Sequence, residues 1–256
     1  MGEHGTWFDY LNRFEWWRHF QHWADTKLAR TGGTGMFPTG FTLTHVLITL
    51  LVVLFTIWGA IAFYRGTRTP DRGLVPPRTL TFSNFFEILA ESLYGFVEGA
   101  MGEVAPRFYP LIGTLFLFIL FANMFALIPG FSAPTDTLKT NVGIAIMVFL
   151  LTHIWGVKEH GVAYFKHFLG PVPVLIPLML PIEVISHLVR PVSLSLRLMG
   201  NMLADHKVVM SFFALVPLIV PLPFLLLGLL VCFIQALVFC TLAMVYISMA
   251  LEHEEH

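Results

Sequence analysis

Charge is scarce in this sequence: Asp, Glu, Lys and Arg make up 12% of 256 residues, about half the share of an ordinary soluble domain. No basic cluster stands out, which excludes the electrostatic footprint of a nucleic-acid binder, and a net charge of −1 points to no partner. Cysteine is scarcer still. Cys232 and Cys240 lie eight residues apart in an apolar run; on a helix that is about 12 Å, beyond disulfide reach, so both read as lipid-facing or packed thiols. A phosphate-cradling glycine loop followed by lysine is absent, so no ATP site is expected in the chain itself. The opening MGEHGTWFDYLNRFEWW has no basic and apolar secretory pattern and no Arg/Ser-rich transit bias. The closing LEHEEH is not a polyhistidine run and reads as native sequence. His153, His160 and His167 are seven apart and His19 and His22 three apart, without a cysteine or carboxylate to complete a ligand set. Uncoordinated histidines are the ordinary case, and neither a metal nor a cofactor is expected.

What is abundant is apolar. Hydrophobic residues are 56% of the chain and the mean hydropathy is +0.75, the composition of an all-α integral membrane protein. Residues 1–42, with Trp7, Trp16, Trp17 and Trp23, suit the headgroup level. A first span is expected over 43–64. Residues 82–103 place Phe85, Phe86, Leu89, Leu93, Phe96 and Val97 on one helical face and Glu87, Glu91 and Glu98 on the other. That pattern predicts an amphipathic helix on the membrane surface or against a partner. Spans over 108–129 and 141–157 form a hairpin. Residues 171–216 and 221–251 would make helices of about 67 and 45 Å against a core of about 30 Å, so they must tilt, kink at Pro191 or run partly along the membrane. Five membrane-embedded helices and one surface helix follow. Five arginines between Arg65 and Arg107, and Lys158 and Lys166 further on, mark two cytoplasmic loops against Lys139 alone in the turn between. The positive-inside rule then puts the N-terminus on the opposite side and the C-terminus in the cytoplasm.

Within IEVISHLVRPVSLSLRLMGNMLADHK, Arg197 falls inside a segment that otherwise reads as buried in the bilayer. A guanidinium there costs about 2.5–3.5 kcal/mol on the translocon scale, so it is a functional-site hypothesis, weighed against an arginine snorkelling to the interface. Glu183, His187, Arg190, Leu194, Arg197, Asn201 and Ala204 or Asp205 recur at spacings of three and four and share one face. Such a ladder needs water or protein beside it. Glu183 and Arg197 are fourteen residues apart, about 21 Å of helix, and cannot touch. Arginine does not titrate, so Arg197 can attract and hold a carboxylate or repel protons but cannot relay them. Glu183 and His206 can. Their bland alternatives are a Glu183 charge paired with Arg190 or His187, and a His206 anchor beside Lys207. For Gln235, the one amide between Val208 and Leu251, the alternative is a hydrogen bond between helices.

The run RPVSLSLRLMGNMLADH, preceded by PIEVISHLV and followed by IQALVFCTLAMVYISMALE, resembles subunit a of the F-type ATP synthase. FFEILAESLYGFVEGAMGE and FYPLIGTLFLFILFANMFALIPG resemble that family's surface helix and next span, so the likeness covers most of the chain. It implies that Arg197 is the essential stator arginine facing the carboxylates of a rotating ring, with Asn201 and Gln235 as polar neighbours and Glu183 as the acid of the cytoplasmic path. The last two helices are then a tilted hairpin against that rotor ring. His206 stands where many bacterial members carry glutamate and mitochondrial ones histidine. Members often carry an ionisable group seven residues before the glutamine, where this chain has Gly228. The far-side relay therefore falls to His206 with Asp205 or water. Members also often carry an acid where this chain has Ala126. The partners implied are a ring of c subunits, peripheral-stalk b subunits, the rest of the F1Fo complex and membrane lipid, in a cell inner membrane and without nucleic acid. Two rivals are a secondary transporter, whose inverted repeats and broken half-helices are not seen, and a structural subunit with an inert arginine.

Overall fold

In the computed structural model, residues 43–67, 82–128, 134–161, 164, 176–215 and 221–251 are described, together with Glu15, Arg18 and His19 of the N-terminal segment. No strand occurs among them. Six α-helices run in chain order: α1 Leu43–Thr67, α2 Phe82–Met101, α3 Ala105–Ala126, α4 Leu138–His160, α5 Ile176–Leu215 and α6 Pro221–Leu251. Helix is the economical state for such apolar runs, because each backbone N–H and C=O is satisfied within its own segment. Among the described residues, five stretches are long and apolar enough to cross a membrane, with α2 and α3 joined in one of them.

Helix α3 is the hub. Its Phe108, Ile112, Leu115, Phe116 and Ile119 are buried together with Leu194 and Leu198 of α5 and Ala236, Phe239, Ala243, Met244 and Ile247 of α6. The turn from α2 to α3 is a short 3-10 segment whose Gly102 has φ +59, a conformation glycine adopts without strain. Across that turn the Tyr109 hydroxyl donates to the Ala90 carbonyl at 2.9 Å, and the Tyr94 and Tyr109 rings meet edge to face. Phe86, Leu93 and Val97 of α2 are buried, but Phe85 and Phe96 are exposed, a correction to the single apolar face read from the sequence. Each lies about 100° from its buried neighbour, so the apolar surface of α2 is too wide for one contact.

A second cluster joins Ile48 and Val52 of α1 to Phe86 of α2 and to Phe121 and Ala122 of α3. Gly59 of α1 faces the Phe86 ring so closely that a β-carbon there would sit 2.5 Å from the ring's nearest atom. At the other end of the molecule Arg107 at the start of α3 donates to Glu159 at the end of α4, at 3.2 Å. Tyr164 folds back against α4: it is buried and fills the space over Gly156. Burial pushes its phenol above the ordinary value, and Arg190 offsets part of that rise.

Helices α5 and α6, of 40 and 31 residues, are about 60 and 46 Å long and exceed the bilayer core. Pro181 and Pro191 lie inside α5 without ending it. Residues 171–175 and 216, which the sequence reading included, lie outside the described residues, as do 1–42 apart from the three named, and His167.

Candidate functional site

The polar ladder of α5 does not face one way. At about 100° per residue, Leu198 and Arg197 fall on opposite sides of Leu194. Leu194, Ser195, Leu198 and Met202 form the buried face of α5, while Arg197 and Asn201 are exposed. The ladder therefore straddles the edge of the packed face. Its inner members turn into the protein and its outer members away from it.

Arg197 makes no hydrogen bond or ion pair among the described residues. Ser193, Gly200 and Ala204 are exposed beside it, at spacings that put them on the same side of the helix. A β-carbon on Gly200 would meet nothing within 4 Å. One turn on, Asn201 donates from Nδ2 to Oε1 of the buried Gln235 of α6 at 2.7 Å. The two amides predicted as neighbours of the arginine thus meet each other, in the hydrogen bond between helices that was the alternative for Gln235.

Towards the start of α5, Glu183 is 33% exposed at its side chain, and its Oε1 lies 3.1 Å from Nε2 of His187. Its partner is thus His187 rather than Arg190, whose guanidinium lies over the Tyr246 ring of α6 at 4.9 Å. Glu183 and Arg197 are not brought together. His153, which falls within the stretch 141–157 read as a span, is inside α4, and its ring meets that of His187 at 5.4 Å.

Towards the other end, Asp205 is half-buried, with Oδ2 fully covered and without a hydrogen-bond partner among the described residues. That oxygen lies 2.9 Å from where a β-carbon on Gly228 would stand, and Leu127 closes the same gap. The absent side chain at 228 is what leaves room for the Asp205 carboxyl group. Ala126 is buried against Met202 and Cys232 in the adjoining cluster. His206 belongs to α5, and its side chain lies outside the described residues; Lys207 is exposed. Cys232 and Cys240 are free and buried, so both are packed thiols rather than lipid-facing ones.

A polar cluster that sequence reasoning missed ties the α3–α4 turn. Thr135 donates to Asn123 Oδ1 at 2.6 Å, and Asn141 donates to the Thr135 carbonyl at 2.7 Å. All three are buried, and Asn123 Nδ2 and Asn141 Oδ1 have no hydrogen-bond partner among the described residues.

Comparison with known proteins bears on the whole of this arrangement. The family model described as ATP synthase A chain matches residues 35–248. ATP synthase subunit a 2 of Syntrophotalea carbinolica is 51% identical over 209 residues, covering 81% of this chain and 86% of the relative. ATP synthase subunit a of Trichlorobacter lovleyi is 48% identical over 209 residues, 82% and 85% of the two chains. That of Geobacter sulfurreducens is 53% identical over 169 residues, 66% and 74%. With five stretches among the described residues long and apolar enough to cross a membrane, and with these relatives, this multi-pass membrane protein belongs to the ATP synthase subunit a family.

Proposed function

We propose that this chain is the proton-conducting stator subunit of an F-type ATP synthase membrane sector, without catalytic chemistry of its own. The observation that carries the reading is Arg197: a permanent positive charge in the middle of an apolar helix, exposed and unpaired among the described residues. A guanidinium in that setting requires an anionic partner from outside the chain. The small residues around it, Ser193, Gly200 and Ala204, admit a second helix at close range. A ring of c subunits whose helices carry a carboxylate at that depth meets both requirements.

In this reading a proton entering from the far side reaches a ring carboxylate by way of His206 and Asp205. The neutralised carboxyl group turns through lipid, then releases its proton towards Glu183 and the cytoplasm. Arg197 draws the newly ionised carboxylate in and repels any proton on a direct course between the two paths. The Asn201–Gln235 bond braces α5 on α6 one turn from the arginine. Each charge crossing the membrane is driven by about 2.3 kcal/mol per 100 mV. The chain sits in the cell inner membrane with its N-terminus periplasmic and its C-terminus cytoplasmic, in contact with the ring and with peripheral-stalk b subunits.

The test is the Arg197→Ala variant in complexes purified from membranes and returned to liposomes. The complex is expected to assemble with its ring and stalk, while ATP synthesis driven by an imposed proton gradient is lost. Coupled synthesis at the normal rate would contradict the assignment.

A further inference from the structure

Glu183 is the outermost member of a longer series of titratable groups. Its carboxylate meets His187 of α5 at 3.1 Å, the His187 side chain is only 13% exposed, and the ring behind it is His153 of α4. His153 is fixed in turn: its Nδ1 lies 2.9 Å from the Phe149 carbonyl, and its ring meets Phe149 and Tyr164. The two histidines line a cavity between α4, α5 and α6, together with Thr152, Arg190, Pro191 and Tyr246. About 30 Å³ of it is open to the centres of water molecules, room for roughly two waters. The groups facing the pair are Glu183 and Arg190 from α5, Tyr164 beyond the end of α4, and Tyr246 from α6. The series runs inward, away from the exposed side of α5 that carries Arg197.

We propose that His187 and His153 are relay residues that pass protons between Glu183 and the water of this cavity. The inference rests on the reading of Glu183 as the acid of the cytoplasmic path. A protonated Glu183 gives its proton to Nε2 of a neutral His187, leaving carboxylate and imidazolium. The imidazolium releases its other proton, from Nδ1, to water in the cavity, and His153 takes up and returns such protons from the opposite wall. The neutral His187 ring that remains carries hydrogen on Nε2, the form that donates to the ionised Glu183. Turning the ring presents the bare Nδ1 to Glu183 and the Nε2–H to the cavity, so the next proton enters at Nδ1, the Nε2 proton leaves, and the ring swings back in the starting tautomer. One proton enters and one leaves, and the Glu183–His187 pair ends with the charge it began with. A carboxylate alone exchanges protons with whatever water reaches it; two imidazoles, each with one nitrogen that can accept a proton while the other donates, connect it to the water of the cavity between the helices.

The experiment uses the whole complex in liposomes and reads ATP-driven proton pumping from about pH 6 to about pH 8.5, the range that brackets an ordinary imidazole. His187→Ala and His187→Gln are expected to slow pumping roughly tenfold, the low side of what a positioned acid–base group contributes, and added imidazole is expected to restore the Ala variant. His153→Gln, on the other helix, is expected to slow pumping as well. Glutamine keeps a donor for Glu183 but cannot relay, so a His187→Gln complex that pumps at the normal rate would overturn the proposal. So would a slow His187→Ala complex, correctly assembled, that imidazole does not restore. The parent reading fails separately, through Arg197→Ala that still couples. If Arg197→Ala is uncoupled and His187→Gln is normal, only the relay is wrong.

Discussion

Moving one carboxyl group between two helices is the sharpest test of how the far-side path is built. Asp205 of α5 and Gly228 of α6 share a single space: a β-carbon at 228 would stand 2.9 Å from Asp205 Oδ2 and 2.8 Å from Leu127 Cδ2. Gly228→Asp alone therefore puts two carboxyl groups into the place of one. At a separation of about 4 Å and an effective dielectric of about 20 their repulsion is about 4 kcal/mol. That is roughly a thousandfold against both being ionised together. The steric part is smaller, since both obstructing atoms end flexible side chains, and lies at the low end of the 1–3 kcal/mol of an overpacked site. Asp205→Gly removes the group and leaves the space empty. Each single change is expected to lower gradient-driven ATP synthesis by roughly tenfold or more. The double change Asp205→Gly with Gly228→Asp returns one carboxyl group to the same volume from the opposite wall, and is expected to recover most of the rate. The assay is ATP synthesis after an acid–base jump in liposomes, with complex recovery as the assembly control. A double variant no better than the poorer single would refute the shared site.

Three further outcomes follow from the packing. Removing the Asn201–Gln235 bond by Asn201→Ala and Gln235→Ala, singly and together, should give a coupling of about 0.6 kcal/mol and at most about 1.7 in a thermal-stability double-mutant cycle; a coupling of zero would contradict the 2.7 Å bond. Gly59→Ala drives a methyl group into the buried Phe86 ring, held between Phe55 and Phe121, and should destabilise the α1–α2 contact by about 1–3 kcal/mol, read as easier proteolysis between those helices. Arg107→Gln breaks an ion pair whose side chains are 43% and 41% exposed, so a loss of no more than about 1 kcal/mol is expected in the melting of the solubilised complex.

Most of the architecture was legible because a bilayer leaves few choices. Apolar runs of spanning length have to be helices, and a charged side chain within one is costly enough to mark Arg197 without any structure. The spacing of the α5 ladder was legible for the same reason. What spacing could not supply was the rotation of that ladder relative to the packed face, because the packed face is set by α3, α4 and α6, which are distant in sequence. Hence Glu183 proved to be bonded to His187 rather than Arg190, and Arg190 to rest on Tyr246. Phe85 and Phe96 carry the same lesson in α2: an apolar residue beside lipid need not be buried in protein to be satisfied, so hydrophobicity there does not identify the inner face. The meeting of His153 with His187 was not legible because histidines were weighed by their spacing along the chain, whereas the two lie on different helices. Gly228 was legible as a missing ionisable group only through family resemblance. That Asp205 fills the gap is a fact of close approach between helices, which sequence spacing does not encode.

The central claim is that Arg197 faces a moving carboxylate rather than lipid, and a density map of the intact complex measures it directly. The account predicts a ring helix packed along Ser193, Gly200 and Ala204, with its carboxylate passing within about 4–6 Å of the guanidinium, the range in which opposite charges hold one another ionised. A map with that guanidinium against acyl chains or a stalk helix, and no ring carboxylate at its depth, would contradict it.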